Sequence, residues 1–145
     1  MNINFNLNTK LKINNADYSV LSVAEYITKT NDSPYYKINL SNEKILVISL
    51  IDNFAYIGEI RKIDCQYTPV PILEYGNENF TLIGNDYQIL KKIILGNIGN
   101  VEGDIDFIDF INKDETRIIS LARAKGGERK DVYACIVDVG EIEVL

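Results

Sequence analysis

The chain contains no histidine, so imidazole acid–base catalysis, Ser-His-Asp and Cys-His nucleophilic centres and histidine-bound metals are excluded. Carboxylates, lysines, tyrosines and cysteines remain. In the acidic stretch Glu102-Gly103-Asp104-Ile105-Asp106-Phe107-Ile108-Asp109, strand alternation puts Asp104 and Asp106 on one face. A hard cation needs several such oxygens, but the EF-hand spacing is missing and no partner carboxylate is identifiable. The plainer reading is a solvated strand face with Ile105 and Phe107 inward, and neither a metal nor any other cofactor is expected. Arg123, Lys125, Arg129 and Lys130 flank Gly126-Gly127, and four cations at a hairpin tip could hold an anion. Glu128 interrupts them, and no glycine-rich phosphate loop opens a helix, so an exposed polar turn explains them as well. Tyr35, Tyr36, Tyr67 and Tyr75, four of nine tyrosines, cluster near turns. Tyrosine joins apolar area to a hydroxyl and suits an interaction surface; sheet packing with the hydroxyl in solvent is the alternative. Cys65 and Cys135 form no CxxC pair and read as reduced thiols, Cys135 as a small core residue in the run 132–137.

These residues need elements to position them, and the strand signals dominate. Ile3, Phe5 and Leu7 alternate with Asn, and Tyr36, Ile38 and Leu40 alternate with Lys37 and Asn39, the pattern of half-buried strands. Residues 45–51 and 118–122 are continuous apolar runs, as buried strands are. Segments 20–27 and 89–94 fit helical spacing as well as strand alternation; their β-branched and aromatic content favours strands. Turn clusters at 14–15, 41–43, 52–53, 84–85, 112–114 and 126–127 suit a meander of hairpins. The fold class expected is all-β and antiparallel, sandwich- or barrel-like, with room for one short helix.

The chain also resembles itself. Residues 11–21 align without a gap on 80–90, with Asp17-Tyr18 falling on Asp86-Tyr87. Ile48-Ser49-Leu50 then answers Ile119-Ser120-Leu121, and Ala55-Tyr56-Ile57 answers Val132-Tyr133-Ala134. The organisation expected is a first β repeat over 1–66, a junction over 67–78 and a second repeat over 79–145. Each half is near the size where a core alone is marginal, so the two are expected to unfold together. Pro69 and Pro71 stiffen the crossing, and Val70, Ile72 and Leu73 are expected to bury there.

With 145 residues, 46% of them hydrophobic, and a net charge of −6, the composition is that of a globular chain unsuited to generic nucleic-acid binding. No apolar run is long enough for a membrane helix, so membrane insertion is not expected. The first residues lack a secretory pattern, and a cytoplasmic location is expected.

Tyr35-Tyr36-Lys37-Ile38-Asn39-Leu40 with Leu46-Val47-Ile48, and the closing segment from Ile118-Ile119-Ser120-Leu121-Ala122-Arg123 through Gly140-Glu141-Ile142-Glu143-Val144-Leu145, resemble the bacterial family called domain of unknown function 4178. The resemblance implies no established activity and no catalytic residues, and suggests an accessory role in envelope-stress or polyamine-linked gene clusters. The function expected is a non-catalytic binding or protein-interaction module whose partner is another protein. Alternatives are an acidic inhibitor or immunity-type protein masking a basic partner, and a carboxylate-based metal or hydrolytic protein.

Overall fold

The alternation resolves into eleven strands in a computed structural model that describes residues 3–29, 33–96, 104–124 and 128–145. They are β1 (Lys10–Ile13), β2 (Ala16–Thr28), β3 (Pro34–Leu40), β4 (Lys44–Ser49), β5 (Phe54–Ile60), β6 (Ile72–Tyr75), β7 (Glu78–Leu95), β8 (Asp104–Asn112), β9 (Arg117–Ala124), β10 (Val132–Val137) and β11 (Glu143–Val144). Helical structure among the described residues is one 3-10 turn at Val139–Glu141, capped by the Asp138 carboxylate, which accepts from the Gly140 N–H. Both ambiguous segments are strands, within β2 and β7. In β2 the helix-like spacing arises because both faces are buried, so that Val23 and Ala24 are each about 1% exposed, whereas in β7 Ile93 and Ile94 are exposed. No helix among the described residues is long and apolar enough to cross a membrane.

Turn chemistry sets the hairpins. Ile13 faces Ala16 and Tyr75 faces Glu78, leaving two-residue loops Asn14-Asn15 and Gly76-Asn77 with φ of 50°, 64°, 59° and 63°. Positive φ at both loop residues is the turn whose twist matches a right-handed strand pair, and Asn and Gly tolerate it. These two turns correct the internal alignment. Leu11 faces Tyr18 as Leu73 faces Phe80, so the counterpart of Tyr18 in hairpin register is Phe80 and not Tyr87. Gly84-Asn85 is no turn; it lies inside β7 beside a register shift between Leu82 and Gly84. Asp17 and Asp86 consequently differ in position, Asp17 opposite Lys12 in a hairpin and Asp86 opposite Phe107 in mid-sheet.

The strand order is β11-β1-β2-β3-β4-β5-β10-β9-β8-β7-β6, and an additional β2–β7 pairing closes eight of these strands into an antiparallel barrel. On both sides of residues 61–71 the strands run short, long, then three more, and the second side adds the two-residue β11. Each long strand changes partner along one edge. β2 pairs β1 over 16–19 and β7 over 23–28. β7 pairs β6 over 78–81 and β2 from Gln88 to Leu95. The second seam is β5 against β10. There Gly58 faces Ala134, and a Cβ on Gly58 would overlap the Ala134 side chain and the Tyr133 carbonyl.

Most large aliphatic side chains lie on the outside of the barrel wall, in two clusters. In one, Ile38, Leu40, Leu46, Ile48 and Ile57 are covered by Leu11 and Ile13 of β1 and by Val139 and Ile142 after β10. In the other, Phe80, Ile108, Phe110, Ile119 and Leu121 are covered by Leu73 of β6 and by Ile63 of the segment after β5. Of the apolar residues expected to bury at the crossing, Leu73 does, whereas Val70 and Ile72 are 36% and 57% exposed; a four-residue edge strand turns alternate side chains to solvent.

The second cover is pinned by Arg129. Its guanidinium donates to the carbonyls of Cys65 (2.5 Å) and Ile63 (3.3 Å) and to Asp131 Oδ2 (2.7 Å), which also accepts from the Ile63 N–H. The Asp131 side chain is 1% exposed. Arg129→Ala therefore leaves a carboxylate buried without its cation and should lower unfolding free energy by about 3 kcal/mol, read by urea denaturation. Gly58→Ala should cost about 1–3 kcal/mol through overpacking at the seam; an unchanged denaturation midpoint would mean that the seam is looser than described.

Candidate functional site

The pairing registers identify which side chains face the barrel lumen. Tyr26 faces Tyr35 and Ala24 faces Lys37. Lys37 faces Val47, and Val47 faces Tyr56. On the other half, Phe107 faces Ala122 and Asp109 faces Ser120. Gln88 joins them, opposite Ile105 on one side and Thr28 on the other. These positions alternate with those of the outer clusters, and the inward face mixes small, aromatic and polar residues with an apolar group of Ile45, Val47, Ile118 and Ile136 near the β5–β10 seam.

Together they line a cavity of about 180 Å³ bounded by Tyr35, Lys37, Val47, Phe54, Tyr56, Gln88, Phe107, Asp109, Ser120 and Ala122. Thr28 and Ser33 and the exposed Asp52 lie at one end, where the cavity meets the surface. The Tyr26 and Tyr35 rings stack at 5.7 Å, and Lys37 Nζ lies 4.9 Å from the Tyr26 ring centroid. Lys37 and Asp109 are enclosed by protein yet only half-buried to a water-sized sphere, because the surface they keep is the cavity wall.

Enclosure shifts Asp109, Lys37 and the lumen tyrosines. Burial pushes the Asp109 carboxyl from 3.8 up to about 6, with a Ser120 hydrogen bond and the Lys37 ammonium working against the rise. Burial likewise lowers the Lys37 ammonium from 10.5 to about 8, opposed by Asp109. The Tyr35 and Tyr56 hydroxyls are pushed far above the phenol range by burial, then by neighbouring groups including Asp109, so both remain protonated. Burial also brings Tyr26 to about 12.

Four buried side-chain polar atoms among the described residues have no hydrogen-bond partner: Thr28 Oγ1, Gln88 Nε2, Asp109 Oδ1 and Tyr67 Oη. The first three belong to residues lining this one cavity. Buried polar groups in native proteins are nearly always paired with protein or ordered water, and these three lie on residues that line one space.

The residues singled out from sequence are scattered by comparison. Tyr35 is in the lumen. Tyr36 points the other way and donates to Glu25 Oε1 at 3.2 Å. Tyr67 packs in the second outer cluster under the Arg123 guanidinium, 4.3 Å from its ring. Tyr75 lies against Tyr133 with ring centroids 5.3 Å apart. The hairpin cations do not converge: Arg123 pairs with Asp106 at 3.4 Å, and Arg129 is committed to Asp131 and two carbonyls. Lys130 donates its backbone N–H to Ala122, and Lys125 lies outside the described residues. Asp106 is exposed, and the side chain of Asp104 is outside the described residues. No group of three Cys, Asp or Glu able to hold a metal occurs among the described residues. Both cysteines are free.

Lys37, Tyr56, Gln88 and Asp109 were not candidates on sequence. The signal available was alternation in Tyr36-Lys37-Ile38-Asn39-Leu40, which separates the two faces correctly but does not say that the polar face turns inward. No protein-family model, curated protein or solved structure matches the chain.

The Asp109 shift has a consequence for stability. A carboxyl with a raised folded-state pKa holds its proton more tightly folded than unfolded, so its contribution to stability falls as pH rises between 3.8 and about 6. Wild-type stability relative to Asp109→Asn should therefore decline across that window. A flat difference, measured by urea denaturation at several pH values, would place Asp109 in water.

Proposed function

We propose that this barrel is a non-catalytic binding module that takes a small organic molecule into its lumen. The observation carrying this reading is the concentration of three unpaired buried polar groups, Thr28 Oγ1, Gln88 Nε2 and Asp109 Oδ1, around a single cavity. Concave, largely apolar spaces with a few converging polar groups are where proteins bind small molecules. A cavity of about 150 Å³ is enough to hold benzene, and this one is of that order.

A small-molecule partner is preferred here to a protein docked on tyrosines. Tyr35 is withdrawn into the lumen, and Tyr36, Tyr67 and Tyr75 are engaged with Glu25, Arg123 and Tyr133 respectively. Absence of catalysis is supported by the sequence, which offers no imidazole. The resemblance to an accessory family without assigned activity is compatible with such a role, and with a cytoplasmic location.

The test uses the native tyrosines, since the chain has no tryptophan. Small aromatic and amide fragments should perturb tyrosine fluorescence and raise the melting temperature by mass action. Ala122→Phe, which fills the cavity from β9, should remain folded by circular dichroism and lose both responses. Equal responses in the two proteins would place binding elsewhere and overturn the lumen as the site.

A further inference from the structure

We propose that Lys37 is the reactive group of the lumen and captures a small aromatic aldehyde there as an imine. This rests on the lumen being a ligand site and adds the chemistry by which it holds its ligand.

The amine is uncommitted. Lys37 Nζ enters no hydrogen bond or ion pair among the described residues, and its close contact is the face of the Tyr26 ring, 4.9 Å from the centroid. Lys44 and Lys91, on the surface, are paired with Glu59 and Glu25. Lys37 instead lines the cavity and keeps its remaining surface on it. Asp109 lines the same cavity from β8, which β2 and β7 separate from β3 along the wall. The two form no ion pair, yet each feels the other's charge, so they face one cavity without closing on each other.

A lysine amine desolvated among apolar walls is a nucleophile toward carbonyl carbon. Burial lowers the Lys37 ammonium from 10.5 to about 8; Asp109 opposes the fall and Lys130 adds to it. Near neutral pH a far larger share of it is free amine than of an exposed lysine.

The step needs no co-reactant but water. The ammonium releases one proton to water at the open end of the cavity. The nitrogen lone pair bonds to the aldehyde carbon, the carbonyl π pair moves to oxygen, and a proton passes from nitrogen to that oxygen. The hydroxyl then leaves as water, taking up one proton, and nitrogen completes the C=N bond as a protonated imine. One positive charge is present before and after, with Asp109 as its counter-charge in the lumen. Nothing is oxidised or reduced, and hydrolysis reverses the step, so this is capture without turnover.

Shape and charge select the carbonyl compound. Tyr35, Phe54, Tyr56 and Phe107 line the cavity, and aromatic faces favour a flat partner. At about 180 Å³ the space suits one six-membered ring with its substituent. A carboxylate would meet Asp109 inside, the exposed Asp52 at the mouth and an overall charge of −6. An uncharged aldehyde meets none of these.

The experiment incubates the full-length protein at neutral pH with benzaldehyde and sodium cyanoborohydride, which reduces an imine to a stable benzylamine, and locates the benzyl groups by peptide mass spectrometry. Lys37 should label about tenfold or more faster than any other lysine. Ala122→Phe, which fills the cavity, and a three-ring aldehyde too large for it should each abolish that preference. Lys37→Met should lose the fast label while the other lysines react as before; should that variant not fold, the wild-type map decides alone. Without reductant, benzaldehyde should raise the melting temperature more than benzoate or benzyl alcohol, neither of which forms an imine. If benzaldehyde stabilises the protein no better than those two and Lys37 labels no faster than the surface lysines, the imine is wrong while the lumen remains a binding site. If no probe stabilises the protein and Lys37 shows no preference, both the imine and the lumen reading fail.

Discussion

A barrel wall has two faces, and this one turns its more apolar face outward, so the fold depends on covering that face with its own chain. The outer clusters hold many of the large apolar residues, including Leu40, Leu46, Ile48, Phe110, Ile119 and Leu121, each almost fully buried. Burying such a side chain is worth about 1.5–3 kcal/mol, and left bare the same residues would form two apolar patches inviting association. β1 and the segment after β10 cover one patch; β6 and the segment after β5 cover the other. The segments are short and cannot hold themselves in place. They are anchored by hairpin turns at Asn14-Asn15 and Gly76-Asn77, by the Arg129 clamp, and by two residues of β11 pairing with β1. Because much of the stability is gained outside the wall and at the inner cluster of Val47, Tyr56, Ile118 and Ala134, the rest of the lumen is released from being a hydrophobic core.

Closure makes the halves depend on one another. Taken alone, β2 to β5 would be a four-stranded sheet with two bare edges, and so would β7 to β10; open edges are templates for aggregation. Pairing β2 with β7 and β5 with β10 removes them all. The covers cross the boundary too. The segment that leaves β5 packs through Ile63 onto strands of the second half, and the segment that leaves β10 packs through Val139 and Ile142 onto the first. Neither half carries its wall and the whole of its cover within its own stretch of sequence, which gives a structural reason for unfolding in one step.

Period-two alternation, turn composition and the repeated order of elements made the all-β fold legible in the sequence. Register was harder to read. The shared Asp-Tyr pair drew Gly84-Asn85 onto Asn15-Ala16, although Gly76-Asn77 between Tyr75 and Glu78 is the stronger two-residue hairpin signal. The candidate site was legible only as an unassigned half of each pattern. Alternation divides β3 into Ile38 and Leu40 against Lys37 and Asn39, but assigning the polar set to solvent is a habit drawn from sheets with one wet face. In a closed, covered barrel the polar set faces the lumen. Gln88 and Asp109 escaped for the same reason, and nothing local to either residue says that a barrel closes around it.

The lumen is costly as a structural core. Each unpaired buried polar group costs about 1–3 kcal/mol, and enclosing the Lys37 ammonium and the Asp109 carboxyl adds a desolvation cost that their shifted titrations record. The neighbouring positions show that apolar filling is sterically available, since Val47, Ala122 and Ala134 occupy the same inner face. Along one face, then, the wall near the β5–β10 seam closes tightly on Gly58 and Ala134, while the wall around Lys37, Gln88 and Asp109 stays open and polar. A fold that needed only to be stable would extend the first arrangement through the whole barrel. The second arrangement concentrates desolvated charge, unpaired donors and acceptors and aromatic faces in one place, where a bound molecule can supply the contacts that the protein does not make for itself.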